Sequence, residues 1–115
     1  MSKRIERVNS LIKEELAKIF LKEVDFPIGV LVTLTRVEAT PNLIEAKAYV
    51  SVFPDEKADK IIETLNKGIY SIQQKINKLL KMRPVPKIRF VKEEQIKEAA
   101  KIEGILEGLK KEENN

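Results

Sequence analysis

Eight basic side chains fall in one stretch of this chain that contains no acid. Between Thr64 and Lys92 lie Lys67, Lys75, Lys78, Lys81, Arg83, Lys87, Arg89 and Lys92, with no Asp or Glu among them. The whole chain of 115 residues carries 22 basic and 18 acidic residues, a net charge of +4. Outside the stretch, the remaining 14 bases face all 18 acids, so the balance there is −4. The chain reads as a mildly acidic body with a strongly basic segment. Such a segment attracts phosphate backbones and releases their counterions on contact.

Other chemistry is excluded by residue type. The chain has no His and no Cys, which removes histidine acid–base catalysis, thiol nucleophiles, disulfides and Cys/His zinc sites together. Glu14 with Glu15 and Glu93 with Glu94 are adjacent carboxylates. Neighbouring helical residues point in different directions, so neither pair forms an acid–base couple. No enzyme, cofactor or metal is expected. Met1-Ser2-Lys3-Arg4 leads into no apolar run of signal-peptide length, and no stretch is suited to cross a bilayer. A cytoplasmic protein without membrane contact is the expectation.

The elements that must position these cations follow from apolar spacing. Ile5, Val8, Ile12, Leu16 and Ile19 recur at helical steps, predicting a helix over 4–23 that Pro27 and Gly29 end. Val30 to Thr40 is β-branched and predicts a strand, with a bulge near Arg36 to reconcile its two apolar faces. Thr40-Pro41-Asn42-Leu43 predicts a turn in which Asn42 tolerates left-handed geometry. Ile44, Ala46, Ala48, Val50 and Val52 alternate with Glu45, Lys47, Tyr49 and Ser51, a strand covered on one face. Asp55 is the expected cap of a second helix whose stripe runs through Ala58, Ile61 and Leu65 to Ile72, Ile76, Leu79 and Leu80. Gly68 predicts a break within it, with Tyr70 filling the kink. Lys87 to Val91 predicts a third strand, and Glu93 to Leu109 a final amphipathic helix. The reading is one domain over 1–109, a two-layer α+β sandwich with a three-stranded mixed sheet, and a polar tail over 110–115.

This α-β-β-α-kink-α-β order with a C-terminal helix is the type II KH arrangement, and local motifs sharpen it. Arg7-Val8-Asn9-Ser10-Leu11-Ile12, Val32 to Leu43, Ala46-Lys47-Ala48-Tyr49-Val50-Ser51-Val52 and Met82-Arg83-Pro84-Val85-Pro86-Lys87-Ile88-Arg89-Phe90 stand in order. Over about residues 5–109 the chain resembles the ribosome-binding factor A family. Where that family has an Ala-x-Gly kink, this chain has Gly68-Ile69-Tyr70. The resemblance implies a non-catalytic assembly factor of the immature small (30S) subunit, with its 16S rRNA as partner. It also implies a part in late rRNA processing and in cold adaptation.

Lys75, Lys78 and Lys81 are spaced as a row along one helix, Lys67 precedes the kink, and Arg83 and Lys87 flank the proline loop. These six are the expected phosphate contacts. Arg can pair with phosphate bidentately, whereas Lys acts as a point charge. Lys3, Arg4, Arg7, Gln74, Asn77 and Arg89 are further candidates. Other assembly factors are further candidate partners, and a monomer is expected. Two other readings stand beside this one: a general single-strand nucleic-acid module, and an adaptor whose basic face meets an acidic protein.

Overall fold

In the computed structural model, which describes residues 3–94, the first apolar stripe winds into α1 (Lys3–Glu23). Val8, Ile12, Leu16, Ile19 and Phe20 are buried along it, while Leu11 stays partly exposed. Each such side chain contributes about 1.5–3 kcal/mol on full burial. Phe20 makes an edge contact with Phe26 and packs against Phe90, with ring centroids 5.6 and 5.7 Å away. One aromatic thus ties α1 to the loop after it and to the last strand. In that loop Gly29 takes a φ of +86°, open to glycine without steric cost.

β1 (Leu31–Ala39) and β2 (Glu45–Phe53) pair antiparallel, and β3 (Lys87–Lys92) joins β2 in parallel, giving the order β1-β2-β3. The expected bulge is present. Pairing jumps from Leu34↔Val50 to Arg36↔Tyr49, leaving Thr35 as the extra residue. This shift returns Val37 and Ala39 to the face shared with Val32 and Leu34, opposite the buried Ala46 and Ala48 of β2.

The β1–β2 turn corrects one expectation. Asn42 does not adopt left-handed geometry; its Oδ1 accepts the Ile44 N–H at 3.1 Å and the Thr40 hydroxyl at 2.6 Å. Leu43 takes the positive φ, at 58°. A left-handed non-glycine residue costs about 1–2 kcal/mol. Burial of the Leu43 side chain, 9% exposed, offsets that cost. Ile44, expected on the covered face, is exposed instead because β2 starts only at Glu45.

Asp55 is not a helix cap. It lies inside a short 3-10 turn (Asp55–Lys57), closed by the Lys57 N–H donating to Pro54 O at 3.0 Å, and its carboxylate is turned to Lys92. α2 (Ala58–Lys67) and α3 (Ile69–Leu79) follow, separated at Gly68 as expected. Gly68 has a φ of −93°, and an added Cβ would meet only ordinary contacts with Thr64 O and Leu65 O. Tyr70 does not fill the kink: it is 74% exposed. The junction has no tight backbone approach, so the bulky residue two places after Gly68 meets no obstruction. Leu79 is exposed rather than buried, because the helix ends there and Leu80 turns inward on extended backbone. Glu93 does not open a helix. Its N–H donates to Val50 O at 2.8 Å, continuing the line of β3. The rest of the expected final helix lies outside the described residues.

All helices described lie on one side of the sheet, over Ala46, Ala48, Val50, Ile88 and Phe90. The opposite face of the sheet, carrying Lys47, Tyr49, Lys87 and Arg89, is uncovered among the described residues.

Candidate nucleic-acid interface

β3 is an edge strand, and its outward backbone groups need partners. Two side-chain amides from the helices supply them. Asn66 accepts the Phe90 N–H and donates to Phe90 O, both at 2.9 Å. Gln73 accepts the Ile88 N–H at 2.8 Å and donates to Pro86 O at 3.1 Å. Asn66 lies just before the break and Gln73 just after it, so α2 and α3 each hold β3 once. The sequence reading did not pick out either residue. Their only signal is an uncharged amide on an otherwise apolar helix face.

The eight cations of the acid-free stretch divide once the chain is folded. Lys67 is paired with Glu63 at 3.6 Å, Lys75 with Glu23 of α1, and Lys92 with Asp55 at 3.2 Å. The hydrogen bond from Lys92 to Asp55 raises the lysine above its ordinary pKa. Lys78, Lys81, Arg83, Lys87 and Arg89 are exposed and have no acid partner among the described residues. Lys81 is not part of the expected helical row, because α3 stops at Leu79. Arg83 folds back on its loop, donating from Nη1 to Leu80 O at 3.1 Å and Met82 O at 2.6 Å. Its other guanidinium N–H groups remain available to a phosphate.

Topology gathers these side chains at one end of the sheet. β1 ends where β2 and β3 begin, with Ala39 opposite Ala46 and Ala46 beside Ile88. The Ala39 N–H donates to Asn9 Oδ1 at 2.8 Å, which brings the first half of α1 to that end. The exposed Lys3, Arg4 and Arg7 therefore flank the same end as the proline loop and Lys87. Of the amide candidates, Gln74 is exposed, whereas Asn77 accepts from Gln73 at 3.1 Å.

A cleft of about 500 Å³ runs along β3, lined by Asn66 and Ile69 of the helix junction, by Lys47, Lys87 and Arg89, and by one acid, Glu45, which stands in register with Lys87. Lys47 was not among the sequence candidates. It stands directly beside Arg89 in the parallel register, which no reading of one strand reveals. Two like charges in cross-strand register repel, and an anion between them relieves that repulsion.

A second cluster also went unrecognised in sequence. The Arg36 guanidinium carbon lies 3.7 Å from the centroid of the Tyr49 ring. Arg36 Nε donates to Glu93 Oε2 at 2.9 Å, the Thr35 hydroxyl reaches the same oxygen at 2.7 Å, and Glu38 takes Arg36 Nη1. The bonded Glu93, with Glu38 behind it, holds the guanidinium above its usual pKa despite burial. The Tyr49 hydroxyl is pushed up by burial and then by Glu38. Glu93, which sequence reasoning set aside as a catalytic residue, has a side chain only 1% exposed and anchors this cluster.

Among the described residues no helix is long and apolar enough to cross a membrane, and no group of three or more His, Cys, Asp or Glu side chains is placed to hold a metal ion. Comparison with known proteins gives the family. The chain is 34% identical over 117 residues to ribosome-binding factor A of Caldanaerobacter subterraneus subsp. tengcongensis, covering all of this chain and 96% of that protein. It is 35% identical over 108 residues to the protein of the same name from Bdellovibrio bacteriovorus, covering 93% of this chain and 81% of the other. Its fold is similar to the crystal structure of ribosome-binding factor A from Thermus thermophilus, with a TM-score of 0.66 at 18% identity over 76% of this chain and 93% of that one. The family profile for ribosome-binding factor A matches residues 4–106, a span containing both amide clamps and every cation of the segment that lacks an acid partner among the described residues, and the chain belongs to that family.

Proposed function

We propose that this protein associates in the cytoplasm with the immature small (30S) ribosomal subunit through 16S rRNA. It assists late maturation and rRNA processing by binding, as a monomer, without catalysis or cofactor. The observation that carries the reading is the set of five cations, Lys78, Lys81, Arg83, Lys87 and Arg89, that make no ion pair among the described residues and are displayed from the end of α3 through the proline loop into β3. Lys3, Arg4 and Arg7 add exposed basic side chains around the same end of the sheet. A surface of this kind takes most of its affinity from phosphate contacts and weakens as salt rises. A part in cold adaptation belongs to the same reading.

Co-sedimentation tests the reading. Wild-type protein is expected with free small subunits and absent from assembled ribosomes, with binding that falls steeply between low and moderate salt. Charge reversal by Lys78→Glu with Arg83→Glu should abolish co-sedimentation at moderate salt. A double variant that still travels with the subunits as wild type does would contradict the proposal, and nuclease activity on rRNA would contradict the absence of catalysis.

A further inference from the structure

We propose that the outer face of the sheet, uncovered among the described residues, holds one unpaired nucleotide of an RNA strand, its base stacked on the Arg36 guanidinium and its phosphate between Lys47 and Arg89. The inference rests on the reading that the protein binds RNA, and it places a contact on the face opposite the helices.

The Arg36 group is ordered before any ligand arrives. Three of its five in-plane N–H groups are taken, by Glu93 at 2.9 Å from Nε and 3.3 Å from Nη2, and by Glu38. One flat side lies on Tyr49, and the side chain is 36% exposed. With two carboxylates bound, this cation is neutralised and is a poor phosphate site. What it still presents to solvent is a fixed planar surface, and nucleobases stack on arginine planes of this kind. The ordering comes from burial: Glu93 is held nearly out of solvent by Thr35 and Arg36, so the plane cannot swing freely.

The neighbouring row has the opposite character. Two residues along β2 from Tyr49 stands Lys47, paired in register with Arg89 of β3. Both are exposed, and neither has an acid partner among the described residues. Glu38, which faces Lys47 across β1–β2, is already committed to Arg36. Two residues of strand advance about 7 Å, a separation that one nucleotide spans from base to backbone phosphate. A base inside a duplex cannot reach such a flat platform, so the ligand is single-stranded.

The test uses the full chain, a hexameric oligoadenylate RNA and a ribose-phosphate hexamer of equal charge without bases. Arg36→Lys keeps a cation for Glu93 but removes the plane. It should weaken adenylate binding about tenfold and leave the abasic hexamer within about twofold of wild type. Lys47→Ala with Arg89→Ala should weaken both. In the wild-type protein the Arg36 Nε–H resonance should move on adding adenylate and stay put with the abasic hexamer, a readout independent of whether the variants fold. An Arg36 resonance indifferent to adenylate, or an Arg36→Lys loss equal for the two hexamers, overturns the proposal. If wild type binds adenylate, loses it in the Lys78→Glu, Arg83→Glu variant and keeps it in both sheet-face variants, the sheet-face site alone is wrong. If wild type binds neither hexamer, both readings fall.

Discussion

The two halves of the acid-free segment are alike in sequence and unlike in the fold. In the helical half, Lys67 and Lys75 each meet a glutamate, Glu63 one turn earlier and Glu23 from α1. In the half that begins at Lys78, the next acid-bound cation is Lys92, and five cations from Lys78 to Arg89 stand free of acids among the described residues. Lys67 meets a glutamate one turn away on its own helix, and Lys75 meets one brought by packing against α1. Among the described residues the end of α3, the proline loop and the start of β3 meet no carboxylate at ion-pair distance, whereas the far end of β3 does, through Lys92 and Asp55. Contiguous charge along a chain is therefore not a contiguous field in space, and the second half alone has the character of a polyanion site.

The largest effect should come from removing what places that half. Asn66→Ala or Gln73→Ala leaves two backbone groups of the β3 edge without their protein partner, at about 1–3 kcal/mol for each buried group left unsatisfied. Chemical denaturation should show each variant about 2 kcal/mol less stable than wild type, with RNA binding falling in step. Unchanged stability in both would mean that β3 is held by its apolar residues alone.

The contrast between the halves predicts a smaller difference in RNA affinity. Lys67→Ala and Lys75→Ala should change binding less than about twofold, since each lysine is already partnered on the surface. Lys81→Ala and Arg83→Ala should each lower it several-fold and flatten the salt dependence by about 0.7 in log–log slope per phosphate lost. Glu23→Gln, which frees Lys75, should raise affinity slightly at low salt. Equal losses from both halves in a fluorescence-anisotropy titration would erase the distinction.

The smallest effect concerns the Arg36–Tyr49 cluster. Burial and then Glu38 raise the Tyr49 pKa above its ordinary 10.0. A phenol whose folded pKa is raised stabilises the fold below about pH 10, and that contribution is lost as pH rises through the folded value. Tyrosinate absorbance should resolve a step above pH 10 that moves down in Glu38→Gln but stays above the ordinary value, because burial is the larger cause. A step already at the ordinary value in wild type would remove Glu38 and burial as its causes.

Much of the architecture was legible in residue order because its signals are local. Apolar spacing placed α1 and the strands, a glycine inside a helical run marked the break at Gly68, and conflicting faces in β1 located the bulge beside Arg36. Errors fell where a local preference met a tertiary gain. Asn42 is the better left-handed residue, yet Leu43 takes that conformation because its side chain is then buried. Asp55 is a good cap by type, yet it sits within a 3-10 turn and its carboxylate answers Lys92 from another strand.

The sequence by itself determined the helix and strand periods, the absence of thiol and imidazole chemistry and the existence of an acid-free basic stretch. All of these depend on composition or on neighbours a few residues apart. Only the tertiary structure decided which of those cations remain unpaired, that Lys47 stands beside Arg89, and that Glu93 and Arg36 meet over Tyr49. Those facts depend on strand register and helix packing, which join residues as far as 58 positions apart. Coulomb and hydrogen-bond energies follow distance in space, so no run of letters carries them.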